Sequence, residues 1–171
     1  TKGVEVGLTW QITDNLLFTG NLTSLDAEAT STYEFLNGDI IVPGDPLPNA
    51  PELSYWAALD YTFPFELFGG ELWTRVDYAY GDEWWNSTDA AINRDNEGLI
   101  PDWTNTNLQL GLNLPNEWIL TLFVRNLTDE RRITNRQDNR YASEFFNTDE
   151  YAIFDFVNRP IHYGFSVRKT W

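Results

Sequence analysis

The sequence predicts an all-β fold, a transmembrane antiparallel β-barrel, on three observations. Seven segments alternate apolar and polar residues with period two, the connections between them run strictly short then long, and aromatic residues gather at segment ends. Period-two alternation places one set of side chains on each face of a strand. A barrel wall needs that pattern, with an apolar face toward lipid and a polar face toward the lumen. A strand of about 11 residues, rising about 3.3 Å per residue and tilted about 45°, spans roughly 25 Å, the height of an outer-membrane barrel's apolar band.

The first segment, residues 3–12, sets Val4, Val6, Leu8, Trp10 and Ile12 against Gly3, Glu5, Gly7, Thr9 and Gln11, and Asp14-Asn15 turns the chain. The second, 16–27, presents Leu16, Phe18, Gly20 and Leu22 outward, with Leu17 and Leu25 off pattern. A long polar stretch containing Gly44-Asp45-Pro46-Leu47-Pro48-Asn49 precedes the third, 53–63. There Leu53, Tyr55, Ala57, Leu59, Tyr61 and Phe63 alternate with Ser54, Trp56, Ala58, Asp60 and Thr62. A short connection, 64–70, leads to the fourth, 71–80, where Leu72, Thr74, Val76, Tyr78 and Tyr80 oppose Glu71, Trp73, Arg75, Asp77 and Ala79.

After a second long stretch, 81–101, the fifth segment is the most regular. Leu108, Leu110, Leu112 and Leu114 alternate with Asn107, Gln109, Gly111 and Asn113. Pro115-Asn116 turns the chain into the sixth, where Trp118, Leu120, Leu122 and Val124 face outward and Ile119, Thr121, Phe123 and Arg125 inward. A third long stretch, 127–158, precedes the seventh, which sets Ile161, Tyr163, Phe165 and Val167 against His162, Gly164, Ser166 and Arg168.

Short connections on one side and long ones on the other fit periplasmic turns and extracellular loops. Trp10, Tyr61, Phe63, Tyr78, Tyr80, Trp118 and Trp171 stand where an interfacial aromatic girdle belongs. A soluble antiparallel barrel or sandwich also alternates. Trp56, Trp73, Arg75 and Arg125 on the polar faces suit a lumen better than a water-exposed surface. Single-chain bacterial barrels have an even strand count, so the seven strands are expected to be part of a larger barrel whose further strands close the edges.

Composition narrows the function. The formal net charge of −15 argues against nucleic acid as a partner. No apolar run approaches the 18 or more residues of a membrane helix, and with 16% aromatic residues the chain does not read as an acidic disordered segment. The chain has no Cys, and His162 is its one His, on the inward face and expected to be a wall residue. Neither a phosphate loop nor a metal-spaced His cluster is present, so no enzyme, cofactor or metal site is expected. The acidic run from Asp82-Glu83 through Asp89, Asp95 and Glu97 lacks the spacing of a calcium loop.

Several stretches carry a resemblance to the C-terminal barrel region of TonB-dependent outer-membrane receptors. They are Gly3-Val4-Glu5, Leu47-Pro48-Asn49-Ala50-Pro51-Glu52 and Ile100-Pro101-Asp102-Trp103-Thr104-Asn105-Thr106-Asn107. More specific are Phe123-Val124-Arg125-Asn126-Leu127-Thr128-Asp129-Glu130 and the run from Arg159-Pro160 through Val167-Arg168-Lys169-Thr170-Trp171. The resemblance implies the last seven strands, sixteenth to twenty-second, of a 22-stranded barrel. Residues 1–171 would then be its C-terminal portion, with the earlier strands and an N-terminal plug domain outside this chain. It implies a multi-pass protein of the bacterial outer membrane, energised by the TonB–ExbB–ExbD complex through the plug. Phe165, Val167 and Trp171 resemble the signal read by the outer-membrane assembly machinery, with Trp171 in place of the more usual Phe. Lys169, where an apolar outward residue is typical, would snorkel at the periplasmic interface.

The resemblance also implies a small-molecule ligand, a ferric siderophore first, with carbohydrate, cobalamin or another organic ligand as the rival. A porin-like or structural barrel and a soluble β-domain acting as a binding module are the readings from other classes. Trp84, Trp85, Arg131, Arg132 and Arg136 in the long loops are the candidate ligand contacts, since aromatic faces beside guanidinium groups suit a bulky anionic chelate. Otherwise both Trp belong to the outer girdle and the Arg residues pair with Asp129, Glu130 and Asp138. Glu5, Asp60, Arg75, Asp77, Arg125 and Arg168 face the lumen or plug, and Asp60 with Arg75 is an expected cross-strand pair.

Overall fold

The computed structural model describes residues 1–35, 40–87, 98–138 and 153–170. In chain order its strands are β1 (Lys2–Thr13), β2 (Leu16–Asp26), β3 (Tyr33–Glu34), β4 (Ile40–Ile41), β5 (Leu53–Leu67), β6 (Gly70–Gly81) and β7 (Trp84–Trp85). They continue with β8 (Leu99–Ile100), β9 (Trp103–Leu114), β10 (Trp118–Arg125), β11 (Ile133–Asp138), β12 (Ile153–Val157) and β13 (His162–Lys169). The seven long strands form one antiparallel meander in the order β1-β2-β5-β6-β9-β10-β13. These are the seven strands expected from the alternation.

Register turns the alternation into two faces. One row crosses all seven strands through Trp10, Phe18, Leu59, Val76, Leu108, Val124 and Tyr163. The neighbouring row on the opposite face runs Gln11, Leu17, Asp60, Arg75, Gln109, Phe123 and Gly164. Leu17 therefore lies on the polar face, and Trp118, Leu120, Leu122 and Val124 lie on the apolar one, as the sixth segment predicts. No second layer among the described residues covers the apolar face: Leu8 is 52% exposed, Leu122 58% and Phe165 74%. A soluble sandwich would bury such a face against another sheet.

The short turns share one end of the sheet. Between β5 and β6 only Phe68 and Gly69 intervene, with φ of 53° and 73°. Two positive-φ residues make the turn twist that suits a hairpin. Between β9 and β10 a 3-10 turn spans Pro115–Glu117, with Asn116 and Glu117 both at positive φ. The opposite end carries the long connections, and each folds a small hairpin of its own: β3 with β4, β7 with β8, β11 with β12.

Two features differ from the sequence expectation. The third long strand does not stop at Phe63 but runs through Pro64 to Leu67. The last β5 residue paired with β2 is Tyr61, opposite Leu16, and the β5–β6 register shifts between Thr62 and Glu66. Pro64 thus sits in a bulge with no neighbour asking for its missing N–H, the setting in which strands tolerate proline. The long polar connections, expected as loops, contain strands too short to show a period.

Candidate functional site

The polar face carries several of its charges in partnered groups. Asp60 and Arg75 stand directly opposite each other on β5 and β6. Arg75 Nη1 donates to both Asp60 oxygens at 2.9 Å, and its guanidinium lies 5.5 Å from the Trp56 ring centroid. Asp77 is 8% exposed and accepts from Asn107 Nδ2 at 2.8 Å. Arg125 lies over the Phe123 ring and opposite His162, whose Nδ1 is 3.1 Å from the Pro160 carbonyl. Glu5 and Arg168 are exposed on the same face, opposite Thr23 and Ile119.

At the long-connection end, Asn126 organises the segment that follows β10. It is 4% exposed with φ of 52°. Its N–H donates to Asn107 Oδ1 at 3.0 Å, and its Nδ2 donates to the carbonyls of Glu130 and Arg159. The Glu130 carboxylate accepts the Thr104 N–H at 2.8 Å and the Thr104 hydroxyl. Asp129 accepts the Ile161 N–H at 2.7 Å. The run from Arg125 through Glu130 is thus a polar clasp joining β9, β10 and the entry to β13, because each buried polar group there finds a partner.

Above the clasp, Arg132 stacks on Trp103 with its guanidinium carbon 3.3 Å from the ring centroid. Trp103 in turn lies over Gly81, its partner across β6 and β9; a Cβ at 81 would come 2.5 Å from the indole nitrogen. Burial lowers the Arg132 pKa from its ordinary value, and the nearby Glu130 charge offsets part of that. Trp103 and Arg132 border a cavity of about 540 Å³, together with Asn49, Trp84, Asn86 and Asn135. Arg132 Nε is buried without a hydrogen-bond partner among the described residues, as is Trp85 Nε1. A second cavity, about 380 Å³, shares Trp84, adds Trp85 and is acidic, with Asp26, Glu28, Glu52, Asp82 and Glu83.

Of the five loop candidates, Trp84 and Arg132 border the same cavity, and Trp85 lies in the second. Arg131 is exposed and close enough to Asp155 to lower its pKa. Arg136 is used structurally. It pairs with Asp155 through Nε at 2.6 Å and Nη2 at 3.0 Å, and Nη1 donates to the Leu99 carbonyl at 3.1 Å. Its own carbonyl accepts from Asn86. Asp129 and Glu130 bind backbone and Thr104 instead. With the Asn49 N–H bonded to the Trp85 carbonyl at 2.9 Å, the three long connections are tied together. Phe165 and Val167 lie on the apolar face of β13; Trp171 lies outside the described residues. Trp103, Asn49, Asn86 and Asn135 were not singled out from sequence, although Trp103 and Asn49 stand in quoted family stretches.

A seven-stranded antiparallel meander with one uncovered apolar face and long, linked connections at one end has the form of a barrel-wall segment. Residues 1–127 match the family model described as TonB dependent receptor-like, beta-barrel, and the chain belongs to that family. The family consists of transport proteins, not enzymes, and no group of three or more His, Cys, Asp or Glu among the described residues could hold a metal ion. The fold is similar to the siderophore receptor PiuA from Acinetobacter baumannii, with a TM-score of 0.68 and 19% identity over 96% of this chain and 21% of that one. It is also similar to the ferric yersiniabactin uptake receptor FyuA from Yersinia pestis, with a TM-score of 0.69 and 18% identity over 98% of this chain and 23% of that one. The chain therefore spans about a fifth of those receptors. No curated protein sequence matches it.

Proposed function

We propose that this chain is the C-terminal seven-strand portion of a 22-stranded, plugged barrel in the bacterial outer membrane. The barrel takes up a scarce ligand, a ferric siderophore, with energy from the TonB–ExbB–ExbD complex. The observation that carries the ligand reading is the Arg132–Trp103 stack bordering the 540 Å³ cavity. A guanidinium held on an indole offers a fixed cation, and Trp84 beside it an aromatic surface, to a bulky anionic chelate. Family membership and the fold likeness to two iron-chelate receptors support the same reading. The formal charge of −15 opposes anion approach at long range, but salt screens it beyond about 8–10 Å.

Replacing Arg131 and Arg132 together by Ala in the intact receptor should weaken ferric-chelate binding, read by equilibrium dialysis, while the barrel still assembles. Unchanged affinity removes both residues from the ligand site. If growth under iron limitation is also indifferent to loss of the whole receptor, the iron reading fails. A second reading, carbohydrate or another neutral organic ligand, rests on the amides of Asn49 and Asn135 in the same cavity. Under that reading Asn135→Ala weakens binding more than the double arginine variant. For assembly, Phe165, Val167 and Trp171 act as the recognition signal, and deleting Trp171 lowers the folded, heat-modifiable protein without changing synthesis.

A further inference from the structure

The apolar face is shaped at its short-turn end. Leu72, Leu112, Leu120 and Val167 form one row across β6, β9, β10 and β13. Leu110, Leu122 and Phe165 belong to the next. With Leu67, these residues line an almost wholly apolar groove of about 380 Å³. One row beyond it, toward the turn, Lys169 stands opposite Trp118, with Nζ 5.1 Å from the ring centroid. Two residues of strand separate the rows, about 7 Å. Among the apolar-face residues of these four strands, Lys169 is the one charged side chain.

We propose that the groove and Lys169 form a binding site for one anionic phospholipid of the periplasmic leaflet, resting on the membrane reading given above. The acyl chain lies along the leucine rows, where burial of apolar surface drives it. The phosphate meets the ammonium that Trp118 positions at the interface. Charge complementarity selects the occupant. A zwitterionic lipid offers the same chains but no net charge to a cation, and a free phosphate makes no use of the groove.

The test uses the intact receptor in detergent, offered equal amounts of phosphatidylglycerol and phosphatidylcholine with identical acyl chains, with retained lipid counted by native mass spectrometry. Wild type should retain phosphatidylglycerol with a preference of about fivefold, the scale set by one basic side chain at an anionic surface. Lys169→Gln should retain both lipids equally, and Lys169→Arg should restore the preference. Leu122→Trp, which fills the groove and leaves Lys169 in place, should lower retention of both. Equal retention by wild type, or a preference that survives Lys169→Gln, overturns the site. Displacement of phosphatidylglycerol by inorganic phosphate overturns the lipid assignment. Retention of neither lipid, with the apolar face open to water-soluble quenchers, overturns the membrane reading and the site with it.

Discussion

The indole of Trp73 on β6 lies across Gly111, its direct partner on β9, so closely that a Cβ at position 111 would collide with Cε2 and Cζ2 of the ring. Trp103 over Gly81 and Phe123 over Gly164 repeat the arrangement on the same face. Glycine weakens a strand by its backbone freedom, and an aromatic ring laid over it from the neighbouring strand replaces the missing packing. Trp73 is held further by Nε1 donating to Asn113 Oδ1 at 3.2 Å.

Gly111→Val should therefore destabilise the barrel, although valine favours strands. The indole must leave its place, and overpacking of this kind costs about 1–3 kcal/mol. Trp73→Ala in the same background should recover most of that loss in denaturant unfolding of the intact barrel in vesicles. Equal stability of Gly111→Val and wild type would show that the indole moves freely.

Asp60 and Arg75 form a directly opposed pair whose side chains are each 30% exposed. A double-mutant cycle with Asp60→Asn and Arg75→Gln should give a coupling of about 0.2–1 kcal/mol, the range for cross-strand charge pairs. Arg75→Gln should also release Trp56, visible as a change in its fluorescence. A coupling of zero would leave Trp56 as the partner that holds Arg75.

Leu110 lies on the apolar face at 39% exposure. If that face meets lipid, Leu110→Arg should cost roughly 2–4 kcal/mol in a bilayer. Spin labels at Leu108, Leu110 and Leu112 should respond to lipid-soluble quenchers, and labels at Asn107, Gln109 and Asn113 to water-soluble ones. The reverse pattern would exchange the two faces.

The hydrogen bond from Arg136 lowers the Asp155 pKa from its ordinary value. Its contribution to holding Arg136 on the Leu99 carbonyl, and so to the link between the second and third long connections, is therefore full above the unfolded carboxyl value, about 3.9. It is lost only as pH falls through the lower folded value. Spin labels at Ser87 and Thr134 should keep one narrow distance between about pH 7 and 5, and the distribution should broaden below about pH 4. Asp155→Asn should broaden it already at neutral pH. Broadening of the wild type near about pH 6 would assign the link to another group.

Alternation determined the seven long strands and the side chains on each face, because period two is a local property that needs no partner to be read, and the short-then-long connections gave their antiparallel order. It also placed Asp60 and Arg75 on adjacent strands with the same parity, so their pairing could be anticipated. Pro64 misled the boundary of β5, since whether a proline is tolerated depends on which neighbouring strand has already ended. The positions of Arg132 on Trp103, of Arg136 on Asp155 and of Asn126 within its clasp were decided by the tertiary structure. Those partners come from connections without a period, and what brings them together is the spacing of strand ends across the sheet. Local sequence carries no measure of that distance. Which residues border the 540 Å³ cavity follows from the same cause, since Asn49, Trp103 and Asn135 meet only once β5, β9 and β11 stand at their places around it.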